Sequence, residues 1–419
     1  MVQKIIIGLI YLTLSAEAYS QCCGGGSGSP IAGGSSQGVL QEKQMEVNVN
    51  YQNINTSKAL NSDTTVPNFI DHYYSQYIYS RIAYGVTKNF TMSVESGYFI
   101  NKTQYGLHHI DTISSSGIAD LLIFPRYDVL NRTDEKTTTE ITLGLGYKIP
   151  LGKYNDSLIL FHNPVTGINI YDKKIPAVQP SNGSQDMVFY SFFFRGYPSK
   201  NFRIFSSILY IKKGWNPNGE KFGDYASIGF FAGKTFFHKL GITIQLKGEN
   251  IDKMQRNKDL PFPNYDPEAT GMKKISLVPQ LSYGFFHSKL SVYTSSEFPL
   301  YQYVNKTQVA SQFLTTVGLS YRFFTYSGDR VGGTKIKIKT SAQCEKCQDR
   351  IESNLHSVKG VISVKLDLTT REVTVVYNPK KTTPEAIKLF LTQIGYDAND
   401  MPADVNVYDK LPSCCKKPK

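Results

Sequence analysis

The sequence lacks any long apolar run beyond its N-terminus. The one strongly apolar stretch covers residues 5–12, which is too short to span a bilayer as a helix. Charged residues make up 19% of the 419 positions and hydrophobic residues 41%. These values exclude a bundle of membrane helices, and the length leaves room for two folded units.

The chain also lacks clustered charge and any catalytic constellation. Its formal net charge is +12, but the lysines and arginines are scattered along the sequence. A nucleic-acid partner is therefore not expected, because such binding needs basic residues gathered on one face. No Ser-His-Asp spacing and no pair of acidic residues stands out, so we do not expect an enzyme.

The N-terminus has the features of a secretory signal peptide. Lys4 precedes the apolar stretch, and Ala18 and Ser20 supply the small residues before a cut after residue 20. A lipoprotein anchor is disfavoured, because Gln21 precedes Cys22 where a small residue would be required. Export after removal of residues 1–20 leaves three destinations: the medium, the periplasm or the outer membrane.

Residues 44–324 repeatedly alternate apolar and polar side chains. Leu143, Leu145 and Tyr147, for example, alternate with Gly144 and Gly146, as expected for a strand with one apolar side. We count about twelve such segments. The predicted connections between them are alternately long and short, which is typical of outer-membrane barrels, whereas a soluble sandwich has no reason to sort its loops in this way.

We therefore predict a mainly β protein whose larger part is an antiparallel transmembrane β-barrel of about twelve strands. Only a closed barrel can pair all of its backbone groups in lipid. The apolar faces would contact outer-membrane lipid, the polar faces would line a lumen, and the 28 tyrosines would supply aromatic girdles. A long loop is predicted over residues 299–310, before the last strand. Residues 316–323 resemble the terminal-strand signal recognised by the outer-membrane insertion machinery.

Three stretches of the predicted barrel resemble a known family. Residues 116–130, 142–156 and 179–193 share glycine and proline placement with the family described as MetA-pathway phenol-degradation proteins. Members of that family are outer-membrane barrels associated with the movement of small hydrophobic compounds. The resemblance implies a barrel fold and a channel for such compounds.

A different periodicity begins after residue 333. Three β-branched alternating runs read as strands, at residues 335–339, 361–368 and 372–377. Residues 345–356 have helical spacing, and Thr383 followed by Pro384 suits the start of a second helix that Gly395 would end. With a returning strand, the order βαββαβ predicts a ferredoxin-like unit over residues 334–400.

This unit carries a Cys-x-x-Cys pair, Cys344 and Cys347, before its first helix. Together with residues 358–361, 375–379 and 394–398, the pair makes the unit resemble a heavy-metal-associated domain. Such domains occur in copper chaperones, metal-pumping ATPases and periplasmic mercury-binding proteins, so the resemblance implies metal binding by both cysteines. The family's usual Gly-Met-Thr before the first cysteine is Ser-Ala-Gln here, at residues 341–343, which bears on loop rigidity and metal preference.

The chemistry of the pair supports a soft metal ion as its cargo. Thiolates favour monovalent copper, divalent mercury or zinc over hard cations, and a helix N-terminus stabilises their negative charge. A two-coordinate site suits monovalent copper or divalent mercury, whereas a structural zinc site would need four ligands. The main alternative is a thioredoxin-like redox pair, although the downstream sequence lacks the proline of that fold, and a structural disulfide is the lesser one.

The remaining cysteines form two adjacent pairs, Cys22 with Cys23 and Cys414 with Cys415. Adjacent residues are poorly spaced for a disulfide with each other, so both flexible pairs are predicted as accessory soft-metal ligands that exchange metal with the Cys-x-x-Cys pair, or as partners in longer disulfide bridges. Since an even-stranded barrel has both chain ends on its short-turn side, all three pairs are expected in the periplasm.

The sequence thus predicts six segments: a signal peptide at 1–20, a Gly/Ser-rich tether at 21–43, a barrel at 44–324, a linker at 325–333, a metal-binding domain at 334–400 and a Cys-Cys tail at 401–419. We expect an outer-membrane protein that binds a soft metal ion and acts in its transport or in resistance to it, with other periplasmic metal carriers as partners. In the alternative, the barrel is a membrane anchor or small-molecule channel and the C-terminal part scavenges metal.

Overall fold

The computed structural model describes residues 38–106, 108, 112–133, 137–197, 200–237, 239–257, 265–285, 289–325, 333–356 and 358–416. The predicted signal peptide, Cys22 and Cys23 in the tether, and most of the linker lie outside these residues. Within them, the chain forms a β-barrel followed by a small α/β domain.

Twelve long strands form the barrel. They are β1 Gln44–Thr56, β2 Ile70–Thr87, β3 Phe90–Gly106, β4 Leu121–Thr133, β5 Thr138–Ile149, β6 Asp186–Tyr197, β7 Phe202–Lys212, β8 Tyr225–Phe236, β9 Leu240–Ile251, β10 Met272–Phe285, β11 Leu290–Val309 and β12 Phe313–Phe324. Each strand pairs antiparallel with its neighbours in the sequence, and β12 pairs with β1 from Gln44 opposite Phe324 to Asn55 opposite Phe313. This last pairing closes the barrel and leaves no free sheet edge, as a strand protein in lipid requires.

The outward face of the barrel is apolar, as the alternation predicted. Leu143, Leu145 and Ile244 are 48%, 49% and 52% exposed, and their neighbours in the same strands point inward. In water such a surface would be unfavourable, because a large continuous apolar area stays hydrated. It suits the hydrocarbon of a membrane.

The interior has two kinds of wall rather than the uniformly polar lumen that we predicted. On β1, a ladder of inward polar side chains is almost completely buried, with at most 1% exposed. It consists of Glu46, Asn48, Asn50 and Gln52. On β4 and β6, Phe124 packs edge-on against Tyr190 with ring centroids 5.7 Å apart. Strands β6 and β7 carry aromatic residues on both faces. Alternation alone therefore does not show which of their faces lines the lumen.

The connections separate into two rims. Those after β2, β4, β6, β8 and β10 are short, whereas those after β1, β3, β5, β7 and β9 are long. The chain enters and leaves at the short-turn rim, where the Thr325 N–H donates to the Lys43 carbonyl over 2.9 Å. The long connections contain further short strands, Ala59–Ser62, Thr64–Val66, Ile113–Ile118, Ser157–His162, Asn169–Lys173, Glu220–Lys221 and Gln255–Arg256, and two 3₁₀ turns, Pro176–Val178 and Pro267–Ala269.

The predicted long loop at residues 299–310 is instead the end of a strand. β11 continues to Val309, and only residues 310–312 separate it from β12. Pro299 lies inside β11 opposite Ser276, where the pairing with β10 shifts by one residue, so a bulge accommodates the missing donor. Beyond the bulge, β11 gains a second partner in Ala59–Ser62, which extends the sheet past the rim.

The C-terminal domain has the ferredoxin-like order that the sequence predicted. Its elements are β13 Thr334–Lys339, α1 Glu345–His356, β14 Val361–Asp367, β15 Glu372–Tyr377 and α2 Pro384–Gln393. The sheet order is β13-β15-β14, and the returning chain pairs with the free side of β13 through a single antiparallel bridge between Thr340 and Ala398. Both helices bury apolar side chains against the sheet, among them Ile351 and Leu391.

The ends of α2 follow the local rules of helix capping. The Thr383 hydroxyl accepts a hydrogen bond from the Ala386 N–H, with Pro384 in the first turn. Gly395, at φ +93°, then turns the chain out of the helix in a conformation that a side chain would strain. No helix in the described ranges is both long enough and apolar enough to cross a membrane.

Candidate metal centre

The Cys-x-x-Cys pair lies where the chain enters α1. The Cys344 carbonyl accepts from the Cys347 N–H over 2.9 Å and from the Gln348 N–H over 3.1 Å, which forms the first helical turn. Three positions separate the two cysteines in this turn, so both sulfurs lie on the same side, 3.2 Å apart. The pair therefore has the geometry for a shared ligand.

The Cys-Cys tail adds further sulfurs to the same place. The Cys415 sulfur lies 3.7 Å from that of Cys344 and 4.0 Å from that of Cys414. The sulfurs of Cys344, Cys414 and Cys415 all lie within 4.8 Å of one another. None of the four cysteines that the structure describes is in a disulfide. Cys22 and Cys23 lie outside the described residues.

The tail reaches the site because it is folded onto the domain. After residue 400 it forms a short helix, α3 Val405–Tyr408, followed by a 3₁₀ turn at Ser413–Cys415. The Asp404 side chain caps α3, and the Asp404 N–H donates to the Thr392 carbonyl at the end of α2 over 3.1 Å. Leu411 is buried in the domain core, where it packs beside Gly395. The last turn then directs the Cys415 side chain towards the first cysteine pair.

The electrostatics of the site favour one thiolate shared among several sulfurs. The pKa of Cys347 falls to about 5, mainly because Cys415 donates a hydrogen bond to its sulfur. Burial, together with the hydrogen bond to Cys347, raises the pKa of Cys344 to about 11. The pKa of Cys415 lies well above its usual range, because its proton is shared with Cys347 and the thiol is buried. Burial beside the negative sulfurs likewise raises the pKa of the Tyr396 hydroxyl, which stays protonated.

The loop before Cys344 is anchored although the family's methionine is missing. Ala342, at that position, is completely buried, and the Ser341 hydroxyl accepts from the Asp397 N–H over 3.0 Å. This bond ties the cysteine loop to the segment that follows α2. Ser341 therefore restrains the loop that precedes Cys344.

Several close thiols, one of them ionised at neutral pH, form a donor set for soft metal ions. With a metal–sulfur bond of about 2.3 Å, two sulfurs on opposite sides of one ion lie about 4.6 Å apart, and those of a trigonal or tetrahedral set about 3.8–4.0 Å apart. The observed distances of 3.2–4.0 Å are closer to the second arrangement. The residues therefore fit a soft cation held by more than two sulfurs.

Comparison with known proteins agrees with this chemistry. The family model described as "Heavy-metal-associated domain" matches residues 341–397. The copper chaperone CopZ of Staphylococcus epidermidis is 39% identical over 62 residues, which are 15% of this chain and 90% of the chaperone. This part of the chain belongs to the heavy-metal-associated domain family.

The heavy-metal-associated domain also has relatives within larger proteins. A copper-exporting P-type ATPase of Staphylococcus saprophyticus is 40% identical over 55 residues, 13% of this chain, and Copper-transporting ATPase 1 of Rattus norvegicus is 36% identical over the same length. The chain spans only 7% and 4% of the length of these two relatives. The likeness therefore concerns the domain and not the pumps.

The barrel is structurally similar to a solved membrane protein. The crystal structure of an outer membrane channel from Pseudomonas putida F1 aligns with a TM-score of 0.52 and 12% sequence identity. The alignment covers 70% of this chain and 99% of that one. At this identity the likeness shows the fold alone, which is that of a twelve-stranded outer-membrane-type barrel.

The heavy-metal-associated domain contacts the barrel through the far end of α1. The His356 ring stacks on Phe324, the last residue of β12, with ring centroids 4.6 Å apart. Burial and the neighbouring charges of Lys43 and Lys289 lower the pKa of His356 to about 4, so it is neutral at pH 7. Because α1 has twelve residues, the cysteine pair lies about 18 Å from this contact, at the opposite end of the helix.

Sequence reasoning identified all four of these cysteines but treated the tail as a flexible exchanger. A local signal for its folding was present. Asp404 is a good helix-capping residue, and Tyr408 and Leu411 follow at the spacing of one helical face. The segment is too short for this pattern to predict a fixed position, which depends on Leu411 finding a place in the core.

Proposed function

We propose that this protein binds a soft metal ion, with copper as the main candidate, in its heavy-metal-associated domain, and that it acts in transport of that ion or in resistance to it at the outer membrane. The proposal assigns it binding and transfer, not catalysis. The observation that carries it is the cluster of thiols at the start of α1, in a domain covalently joined to an outer-membrane-type barrel.

Copper is favoured over mercury by the relatives and by the donor geometry. The chaperone and the two ATPases to which the domain is similar are named for copper. Monovalent copper accepts two or three thiolates, and sulfurs 3.2 and 3.7 Å apart are closer to its three-coordinate form than to a linear site. Zinc would need four ligands, and the fourth would have to be the exposed Cys414.

The short-turn rim suits a periplasmic position for the domain. Outer-membrane barrels have short turns on the periplasmic side and long loops outside, and this chain enters and leaves beside its short turns. The cysteine cluster lies at the end of α1 remote from the barrel, which favours exchange of the ion with a separate periplasmic carrier. Direct release of the ion into the lumen would require the domain to rotate so that the cysteine end of α1 faces the barrel.

In cells, loss of the protein is expected to change the copper content under copper stress. A deletion strain carrying the wild-type gene should recover the normal copper content, and one carrying Cys344→Ser with Cys347→Ser should resemble the deletion. Elemental analysis of cells grown with copper, and separately with mercury, provides the measurement. Equal copper contents in all strains would contradict the proposal, and a change confined to mercury would contradict the preference for copper.

A packed lumen supports a second candidate, in which the barrel is only an anchor for the metal-binding domain. The inward side chains of Phe124, Arg126 and Tyr190 are between 2% and 6% exposed, so water barely reaches the middle of this wall. On β1 the polar ladder from Glu46 to Gln52 is closed as well. A conducting pore would require these side chains to move.

Planar-bilayer recording is expected to separate the two roles. If the lumen stays packed, the purified wild-type barrel should conduct little current, and Phe124→Ala with Tyr190→Ala should raise the conductance several-fold by removing two rings from the lumen. The matched control is Phe230→Ala, because the Phe230 side chain points outward and is 55% exposed. A large wild-type conductance that the double variant does not raise further would contradict the anchor role and favour transport through the barrel.

A further inference from the structure

We propose that Cys415 is a third thiolate ligand of the ion bound by Cys344 and Cys347, and that the folded Cys-Cys tail covers the site. This inference rests on the metal-binding function proposed above. It adds the number of ligands and the segment that must move when the ion is transferred. A Cys-x-x-Cys loop by itself offers two sulfurs and an open side, whereas here the chain returns 71 residues later with another.

The distances among the sulfurs support a three-thiolate set. Cys344 is central, with the Cys347 sulfur at 3.2 Å and the Cys415 sulfur at 3.7 Å from its own. An ion equidistant from three sulfurs at about 2.3 Å needs them about 4 Å apart, so each of these two separations would widen by less than about 1 Å. Two sulfurs holding the ion linearly would have to separate by more than an ångström from the observed arrangement.

Burial distinguishes the two cysteines of the tail. Cys415 is 1% exposed and belongs to the domain core, whereas Cys414 is exposed. Leu411 and the hydrogen bond from the Asp404 N–H to the Thr392 carbonyl hold the tail in place. Cys415 is thus fixed beside the ligand pair before any ion arrives, which reduces the entropy lost on binding. We leave Cys414 out of the ligand set.

The same contacts have a second effect: the docked tail covers the side of the site from which a partner protein would take the ion. Cys347 is completely buried, although carriers of this type exchange their ion with a partner through an accessible face. Transfer to a partner's thiolates would then begin with release of Cys415 and undocking of the tail. The domain should therefore retain its ion longer than a two-thiolate carrier does.

Sulfur coordination of bound copper in the full chain tests the proposal. The protein is purified in detergent, reduced, and loaded anaerobically with one equivalent of monovalent copper, and X-ray absorption then counts the sulfur ligands. We expect three sulfurs in the wild type and in the matched control Cys414→Ser, and two in Cys415→Ser. Copper affinity, measured against a chromophoric chelator, should fall in Cys415→Ser by at least the roughly 10- to 100-fold that loss of an outer-sphere group costs.

A second variant guards against misfolding at position 415. Leu411→Asp keeps all four described thiols but removes the apolar anchor of the tail, so it should also bind copper through two sulfurs. Hydrogen exchange in β13–β15 reports whether the domain itself stays folded. Two or four sulfurs in the wild type, or three in both Cys415→Ser and Leu411→Asp, would overturn the proposal. Copper binding with two sulfurs would leave the proposed function intact, whereas no binding by the wild type would refute both.

Discussion

The variant Cys344→Ser with Cys347→Ser is expected to lose tight binding of monovalent copper. Serine hydroxyls are hard, neutral donors at pH 7, so the exchange removes both proposed ligands and, among the described cysteines, the one thiol with a strongly lowered pKa. Cys414 and Cys415 remain, but they are only two of the four clustered thiols, and Cys414 is exposed. We expect the affinity to fall by at least about 1000-fold, or about 4 kcal/mol. Competition with a chromophoric chelator under anaerobic conditions provides the measurement.

The matched control for this variant exchanges the cysteine pair of the tether. Cys22→Ser with Cys23→Ser removes the same number of thiols but leaves the cluster at α1 unchanged, so the high-affinity site should remain. Hydrogen exchange in the domain must be the same for both proteins, because an unfolded domain would also lose the ion. Retention of wild-type affinity in the Cys344 and Cys347 variant would refute the proposed metal centre.

The variant Glu297→Ala is expected to destabilise the barrel strongly. Glu297 accepts from Lys274 over 2.5 Å and from Lys247 over 3.2 Å, and Glu249 pairs with the same two lysines. The four side chains lie inside the barrel and balance one another's charge. Removal of Glu297 leaves two nearly buried ammonium groups with one carboxylate, and breaking such a pair costs about 3–5 kcal/mol. Urea unfolding in detergent, followed by gel mobility of the folded barrel, would measure the loss.

An exposed ion pair of the same type provides the comparison. Lys253 and Glu268 are 2.6 Å apart, and their side chains are 47% and 59% exposed. Because solvent screens this pair, Glu268→Ala should cost no more than about 1 kcal/mol. Equal losses in Glu268→Ala and Glu297→Ala would show that the inner cluster contributes no more than a surface contact does.

The barrel could be predicted well in its repeating features and poorly where two faces are alike. Alternation and loop lengths gave the number of strands, their antiparallel order and the outward position of residues such as Leu143. They failed at Pro299, where a loop was expected and a bulged strand is found. They also missed the aromatic lumen wall around Phe124, because a strand with large apolar residues on both sides gives no sign of which side is inside.

The cysteine cluster likewise has one part that local sequence determines and one part that only long-range packing determines. The three-residue spacing of Cys344 and Cys347, and their position before a helix, suffice to bring two sulfurs together, because helical geometry is local. Nothing local specifies that Cys415 returns to the same point. That position results from Leu411 entering a core built from α1, α2 and three strands, and from a hydrogen bond between Asp404 and Thr392. Such contacts form only once distant segments have packed, which is why the sequence predicts the candidate ligands of the proposed metal centre but not how many of them meet.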